Sequence, residues 1–485
     1  MWRDEVRAFS VAREMSSWGS LLSELPLEGH PVLWYVVLRV AYALAHSHFV
    51  LPIAAGIIAI AAAFLILRYA PFPLWLRLLS IFGAFLGYEL SVSARNYGLG
   101  VLLMLTSCLA FRRRTERPVL LGISLFLLAN TSIHAAMATL VILLYWLLDF
   151  RDSERRADIV SIKSIVAFAL AVGGVAFAIS TSSPPADVSW SVSLTTLDYS
   201  NVAASIFMDP GKGLLGYRLA SITAISEIPW RIVGIDAGIV SRLAVDLCIA
   251  WLLFSLRRHP RALVALIVAI VGFEIFFRNI YTGSLRHQGI VLFLIFAICW
   301  LESDRVGDSR RIALGLLPLF AIQSLALPFL VHRTIQYPES SSKAFGQFIR
   351  ANPRYHDAIL MAEPDYLMEA MPYYVSNPIF MPRQRQLADR VYFGKGGRRK
   401  IEMTLGDLID VADSVSCSAK KPVLLAIGYR GFQYKSNGVE HPLYRGLTFT
   451  WTAEEWLRLG GRHPVAAFPR AVTDEFYRVY EVGCH

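Results

Sequence analysis

The stretch FVLPIAAGIIAIAAAFLIL occupies residues 49–67 and carries no charged side chain. A helix of about 20 apolar residues crosses the roughly 30 Å hydrocarbon core of a bilayer. Nine further apolar runs follow it, at 78–94, 97–111, 118–133, 135–149, 164–181, 233–255, 262–280, 287–301 and 312–331. A shorter apolar stretch at 31–46 precedes it, and we expect that stretch to lie in the membrane interface. The sequence therefore predicts an α-helical multi-pass membrane protein with ten or eleven transmembrane helices.

The composition agrees with a membrane protein. Of the 485 residues, 55% are hydrophobic and only 17% are charged, and the mean hydropathy is +0.48. A soluble chain of this length has no interior large enough for so much apolar sequence. The net charge of +10 falls largely in short connectors between apolar runs, so it argues against a nucleic-acid partner.

The basic residues of alternate connectors predict the orientation of the chain. If the ten runs alternate in direction, one side collects Arg68 and Arg77, Arg112–Arg114 and Arg117, Arg151, Arg155, Arg156 and Lys163, Arg257, Arg258 and Arg261, and Arg305, Arg310 and Arg311. Connectors rich in Lys and Arg stay in the cytoplasm. Residues 1–48, the loop 182–232 and the end of the chain are thus predicted to be extracytoplasmic.

The end of the chain changes character at a polar linker, residues 337–342. Strand-like runs at 358–361, 422–427 and 476–482 alternate there with helix-like runs at 343–350, 405–415 and 453–459, which is typical of an α/β domain. We predict three parts: a first extracytoplasmic loop with juxtamembrane helices at 1–48, a transmembrane domain at 49–331, and a soluble α/β domain at 332–485. Cys417 and Cys484 lie in this last part, where an oxidising compartment favours a disulfide between them.

Unusual polar residues gather on the predicted outer side. Charges at membrane depth are costly, so such a cluster indicates a functional site. Taken singly, each has a plainer explanation: Asp4 and Glu5 as a solvated pair, or Arg95 as a lipid headgroup anchor. No Cys or His cluster indicates zinc, and the pattern neither requires nor excludes a divalent metal. The candidates are Asp4, Glu5, His30, Arg95, Tyr97, His134, Arg218, Arg278, Arg286 and His287.

Together these residues resemble the GT-C superfamily of integral-membrane glycosyltransferases, above all protein O-mannosyltransferases and the aminoarabinose transferases of lipid A. Asp4-Glu5 is similar to the Asp-Glu pair of the family's first extracytoplasmic loop. His30-Pro31-Val32-Leu33 resembles its His/Lys-Pro-Pro-Leu element, with Val32 in place of the second Pro. Ser93-Ala94-Arg95-Asn96-Tyr97 resembles its turn between two spans, and His134 its outer histidine. The family also has a helix before the Asp-Glu pair, so we expect an apolar helix to be encoded upstream of Met1.

The resemblance implies a bacterial plasma-membrane enzyme. It would move a sugar, with inversion, from a polyprenyl-phosphate donor to a lipid, glycan or protein acceptor. Asp4 would be the base or would orient the acceptor, with Glu5 in support. The arginines would hold the phosphate, because a guanidinium donates two hydrogen bonds and keeps its charge. His30, Tyr97, His134 and His287 would complete the substrate site.

Other functions are open at this point. A flippase or transporter would also place charges near the spans, but no inverted repeat or matching pair of broken spans is present. A polysaccharide ligase or polymerase would use a carboxylate in 182–232 rather than Asp4. A third alternative is a non-catalytic membrane scaffold that presents the last domain. Activity that is retained without this domain but lost in an Asp4 variant would separate these functions.

Overall fold

In the computed structural model, nine of the ten predicted apolar runs overlap mainly with one helix each, and the run at 78–94 is divided between two. The structure describes residues 1–151, 161–183, 237–280, 285–393, 400–429, 431–432, 437–441, 447–460 and 464–484, without the side chains of 151, 237–242, 278, 279 and 460. The helices before the C-terminal domain are α1 Arg3–Glu14, α2 Trp18–Glu28, α3 Leu33–Ala45, α4 Val50–Tyr69, α5 Leu74–Ile81, α6 Phe85–Val92, α7 Asn96–Phe111, α8 Pro118–Ala129, α9 Ile133–Arg151, α10 Ile162–Ser182, α11 Ala237–Ser255, α12 Pro260–Asn279, α13 Leu285–Val306 and α14 Ser309–Gln336.

The chain is a multi-pass membrane protein. Within the described ranges, five helices are long and apolar enough to cross a bilayer (α4, α9, α10, α12 and α14), and the bent pair α5 and α6 makes a sixth. Helices α3, α7 and α8 are also apolar but only 12 to 16 residues long. The predicted helices are thus confirmed in place, while several are shorter than an untilted span needs.

The run at 78–94 is not a straight helix. Helices α5 and α6 meet at an angle of 48°, and α6 begins with a π-helical turn at Phe85–Glu89. Gln323 of α14 supplies the bonds missing at the break: its carbonyl accepts from Ala84 N at 3.0 Å and its side chain from Phe85 N at 3.3 Å. A Cβ at Gly83 would lie only 3.1 Å from the Cβ of Gln323, so the close approach favours a glycine there.

The first three helices form a layer over one end of the bundle. Phe9, Leu25, Trp34 and Leu38 are buried together, and Leu51 at the start of α4 joins them. The short apolar stretch predicted at 31–46 forms α3, which packs against both α1 and α4. We call this end of the bundle the tail-side end, because the C-terminal domain also lies there.

The C-terminal domain is built on a six-stranded mixed sheet with strand order β3-β2-β1-β5-β9-β8 and a three-stranded sheet β4-β7-β6. Strand β1 pairs in parallel with β2 and β5, whereas β5 pairs antiparallel with β9. The predicted strands at 358–361, 422–427 and 476–482 are β1, β5 and β9. The strand bounds are β1 Ile359–Glu363, β2 Ile379–Met381, β3 Gln386–Leu387, β4 Glu402–Thr404, β5 Val423–Ile427, β6 Gly438–Glu440, β7 Thr448–Trp451, β8 Pro464–Phe468 and β9 Tyr477–Val482.

Helices cover both faces of the larger sheet, as an α/β domain requires. Helix α15 (Ser342–Ala351) packs Phe345 and Ile349 on one face. Helix α16 (Leu405–Ala419) packs Leu408 and Ala412 on the other. A third helix, α17 (Ala453–Gly460), and two 3-10 segments at Pro353–Tyr355 and Asp365–Tyr373 complete the domain. Cys417 at the end of α16 and Cys484 after β9 form a disulfide.

A buried ionic network joins α1 and α2 to the C-terminal domain. Arg7 donates two hydrogen bonds of 2.7 Å to Glu28, and it also binds Glu369. Arg390, which is fully buried, contacts Glu24 at 2.8 Å and Glu28 at 3.3 Å. Buried charges are stable only when they are paired, so this network fixes α1 against the C-terminal domain.

Candidate active site

The candidate residues are held together by the starts of four helices at the tail-side end. Asp4 lies in the first turn of α1, Tyr97 in that of α7, His134 in that of α9, and Arg286 with His287 in that of α13. Arg95 is the residue immediately before α7. Helix N-termini carry partial positive charge, so this arrangement favours an anion even before the arginines are counted.

Asp4 is bound by one cation on each oxygen. Its Oδ2 lies 3.0 Å from Arg95 Nη1, and its Oδ1 accepts from Arg3 Nε at 3.3 Å. Burial would raise the pKa of the Asp4 carboxyl, but the charges of Arg95, Arg3 and Arg286 hold it well below its ordinary value. The side chain keeps about a third of its surface exposed (34%), so an ionised carboxylate faces the outside of the cluster.

Glu5 has a different environment from Asp4. Its Oε2 accepts from Trp2 N at 2.8 Å, which caps α1, and its Oε1 accepts from Ala94 N at 2.7 Å. The residue is buried. Glu5 therefore ties the start of α1 to the turn that carries Arg95, and both of its oxygens are occupied.

Arg286 has one donor without a partner among the described residues. Its Nε is 3.7 Å from Glu89 Oε1, and its guanidinium lies 4.6 Å from the centre of the Trp2 ring. Its Nη1 is buried and has no hydrogen-bond partner among the described residues, and the same holds for Ser93 Oγ. A buried donor left without an acceptor is unfavourable, so this position favours an anionic ligand.

A layer of aromatic and imidazole rings lies next to the charged residues. Tyr97 OH is 2.7 Å from His287 Nε2, and the Arg95 guanidinium lies 5.9 Å from the centre of the Tyr97 ring. The rings of His287 and His134 are 4.7 Å apart. Burial, together with the charge of Arg95, lowers the pKa of His30 to about 4, so His30 is neutral at physiological pH.

The side chains of two of the ten candidates lie outside the described part of the structure. Arg218 belongs to the residues that the structure does not describe, as does nearly all of the loop 182–232. Arg278 lies near the end of α12, but its side chain is likewise outside the described part of the chain. The other eight candidates come together.

Sequence reasoning missed Arg3, whose side chain is 5% exposed and contacts Asp4 directly. Its place beside the Asp-Glu pair was the available signal. It also missed Ser93, although that residue belongs to the turn singled out for Arg95. Within the described residues, no group of three or more His, Cys, Asp or Glu is placed to hold a metal ion.

The fold has counterparts among solved structures. The apo structure of ArnT from Cupriavidus metallidurans superposes with a TM-score of 0.50 at 11% identity, over 98% of this chain and 93% of that one. The structure of the same protein bound to undecaprenyl phosphate gives a TM-score of 0.47 at 14% identity, over 99% and 93%. No family model and no curated protein matches the sequence. The chain thus has an ArnT-like fold.

Proposed function

We propose that this chain is a membrane glycosyltransferase that takes its sugar from a polyprenyl-phosphate donor. One observation carries the proposal: the Asp4 carboxyl contacts both Arg3 and Arg95, and the same cluster holds the buried Nη1 of Arg286, which has no hydrogen-bond partner among the described residues. Sugar transfer from a lipid phosphate needs a carboxylate for the acceptor and cations for the leaving phosphate at one membrane surface. The ArnT-like fold agrees with this chemistry.

In the proposed reaction an acceptor hydroxyl attacks the anomeric carbon from the face opposite the phosphate. The new C–O bond forms as the bond from the anomeric carbon to the phosphate oxygen breaks, and polyprenyl phosphate leaves with the bonding electrons. The acceptor proton passes to Asp4. Arg95 and Arg286 hold the phosphate as its charge grows, while the prenyl tail stays among the membrane helices.

The lowered pKa of Asp4 defines its part in this reaction. Such a carboxylate is a weak base, so it takes the proton late, when sugar–phosphate cleavage has made the hydroxyl acidic. When the phosphate engages Arg95, it draws that charge away from Asp4 and raises the pKa of the carboxyl during turnover. Glu5 contributes by holding the start of α1.

The remaining parts of the proposal concern place and partners. We assign the tail-side end to the extracytoplasmic side of a bacterial plasma membrane and the Arg-rich connectors to the cytoplasm. The division into 1–48, 49–331 and 332–485 belongs to the same proposal. The donor is the lipid-linked sugar, and the acceptor is a lipid, glycan or protein. His30, Tyr97, His134 and His287 are assigned to the substrate site, together with Arg218 and Arg278.

Donor cleavage by purified protein tests the proposal. A panel of radiolabelled polyprenyl-phosphate pentoses and hexoses is incubated with the protein and a membrane extract as the acceptor source. The wild type should release sugar from at least one donor, and Asp4→Asn should lower the rate by about a hundredfold or more. Glu402→Gln, an exposed acidic residue of β4, is the matched control and should have no effect. Near-normal activity of Asp4→Asn, with an essential carboxylate in 182–232, would favour the ligase or polymerase instead.

A further inference from the structure

The start of α1 is bound from two sides. On the membrane side, Glu5 accepts from Ala94 N. On the other side, Arg3 N donates to Glu475 Oε1 of the C-terminal domain at 2.6 Å. The first N–H groups of a helix have no partner within the helix, so such outside acceptors determine where its first turn sits. Asp4 is in that turn.

The side chain of Arg3 continues the connection to Asp4. Its Nη1 lies 3.0 Å from Asp474 Oδ2, and its Nε lies 3.3 Å from Asp4 Oδ1. Its guanidinium is 4.5 Å from the centre of the Tyr366 ring. Arg3 is nearly buried, so little water screens these charges. Asp474 of the C-terminal domain therefore acts through Arg3 on Oδ1 of Asp4, while Arg95 of the membrane bundle holds Oδ2.

Glu475 is itself fixed by the linker that follows α14. Ser340 and Ser342 donate their hydroxyls to Glu475 Oε2, the second at 3.1 Å, and Ser341 N donates to its carbonyl. Glu475 is fully buried. The linker after the last span, the C-terminal domain and α1 thus meet at Glu475.

We propose that Asp474 and Glu475 are positioning residues for Asp4, so that the C-terminal domain completes the active site through Arg3. This inference rests on the proposed function. Neither residue touches the substrate; both act by fixing Arg3 and the first turn of α1. Displacing a reacting group by about 1 Å can cost a hundredfold in rate, so loss of either contact should slow the reaction without weakening donor binding.

The pH dependence gives this role its own signature. Burial raises the pKa of Glu475 to about 7; Asp474 adds to this increase, whereas Arg3 and Ser340 oppose it. Tyr374 and Tyr477 also face Glu475, but their pKa values are raised and they stay neutral near pH 7. The ionised carboxylate accepts the stronger hydrogen bond from Arg3 N. The wild-type kcat should therefore fall as the pH falls through about 7.

Donor cleavage by Asp474→Asn and Glu475→Gln tests the inference, with Glu402→Gln as the control. Each variant should lose about tenfold or more in kcat with little change in KM for the donor. Glu475→Gln should also lose the pH dependence near 7, whereas Asp474→Asn should keep it and Asp474→Glu should recover part of the rate. Thermal unfolding in detergent shows whether each variant is folded.

The outcomes separate this inference from the proposed function. If Asp4→Asn is inactive but Asp474→Asn and Glu475→Gln keep the wild-type kcat and pH profile, the positioning role is wrong and the proposed function stands. If Asp4→Asn is active, the proposed function fails and this inference fails with it. The positioning role is also wrong if both variants lose kcat and thermal stability to the same extent and Glu475→Gln keeps the wild-type pH profile.

Discussion

Asp4 Oδ2 lies 3.0 Å from Arg95 Nη1, and this ion pair joins the first helix of the chain to the turn before α7. The pair brings together a carboxylate and a guanidinium, which is a side-chain group suited to binding phosphate. Arg3 holds the other oxygen of Asp4. Two guanidinium groups therefore hold the Asp4 carboxylate, and we expect an incoming phosphate to compete with Asp4 for Arg95.

Arg95→Gln should shift the acid side of the pH profile. Arg95 is the strongest of the charges that lower the pKa of Asp4, and burial acts in the opposite direction. Without Arg95 the carboxyl takes up a proton at a higher pH, so donor cleavage should fall at a higher pH than in the wild type. The kcat measured from pH 4 to 8 in the Glu475→Gln background, which should lack the fall near pH 7, checks this. Arg354→Gln, which removes an exposed guanidinium, is the control. An unshifted acid limb would show that Arg95 does not govern Asp4.

Arg286→Gln should weaken the binding of a lipid phosphate. The buried Nη1 of Arg286 has no partner among the described residues, so it gains a hydrogen bond when an anion arrives. The dissociation constant of decaprenyl phosphate in detergent micelles should rise about tenfold or more, as expected for loss of a charge-assisted hydrogen bond. Asp4→Asn should bind the same probe at least as tightly as the wild type. Unchanged affinity in Arg286→Gln would place the phosphate elsewhere.

The sequence predicted the membrane helices well because apolar content alone marks them. Strands β1, β5 and β9 were also predicted. Strand β8 was missed although it is as long as β1, and β3 and β4 are too short to show a pattern. The bend between α5 and α6 depends on Gln323, a single polar residue far along the chain. The sequence could single out Asp4, Arg95 and Arg286 as site residues because the predicted topology places them on one side of the membrane. Glu475 could not, because nothing in the sequence relates it to Arg3.

Glu475 should make stability and activity depend on pH in opposite directions, and Glu475→Gln should weaken the pH dependence of stability. Burial raises the pKa of Glu475 from 4.5 to about 7, so the folded state binds this proton more tightly than the unfolded state. The proton on Glu475 contributes on the order of 3 kcal/mol to the free energy of unfolding below about pH 4.5. This contribution is lost as the pH rises through about 7. Melting temperatures from pH 5 to 8 should fall in the wild type and fall less in Glu475→Gln. Identical slopes in the two proteins would contradict the raised pKa.

Removing the disulfide should destabilise the C-terminal domain. Cys417 and Cys484 close a loop with a sequence separation of 67. In the chain-entropy model a loop of this length stabilises the folded state by about 4 kcal/mol. Cys417→Ala should lower the melting temperature of this domain, and the wild type alone should change mobility on reducing gels. Cys248→Ala in α11 is a control outside the disulfide. Alkylation of both Cys417 and Cys484 in the unreduced native protein would disprove the bond.

Cysteine labelling of intact cells should place the Arg-rich connectors and the C-terminal domain on opposite sides of the membrane. Thr115 lies in the connector between α7 and α8, and Ser376 lies in the C-terminal domain; both are exposed. The free cysteines Cys108, Cys248 and Cys299 are buried, so the background labelling should be low. A membrane-impermeant maleimide should label Ser376→Cys in intact cells and Thr115→Cys only after permeabilisation, because connectors rich in arginine remain cytoplasmic. The reverse pattern would place Asp4 and Arg95 on the cytoplasmic surface, and the extracytoplasmic transfer proposed here would have to be abandoned.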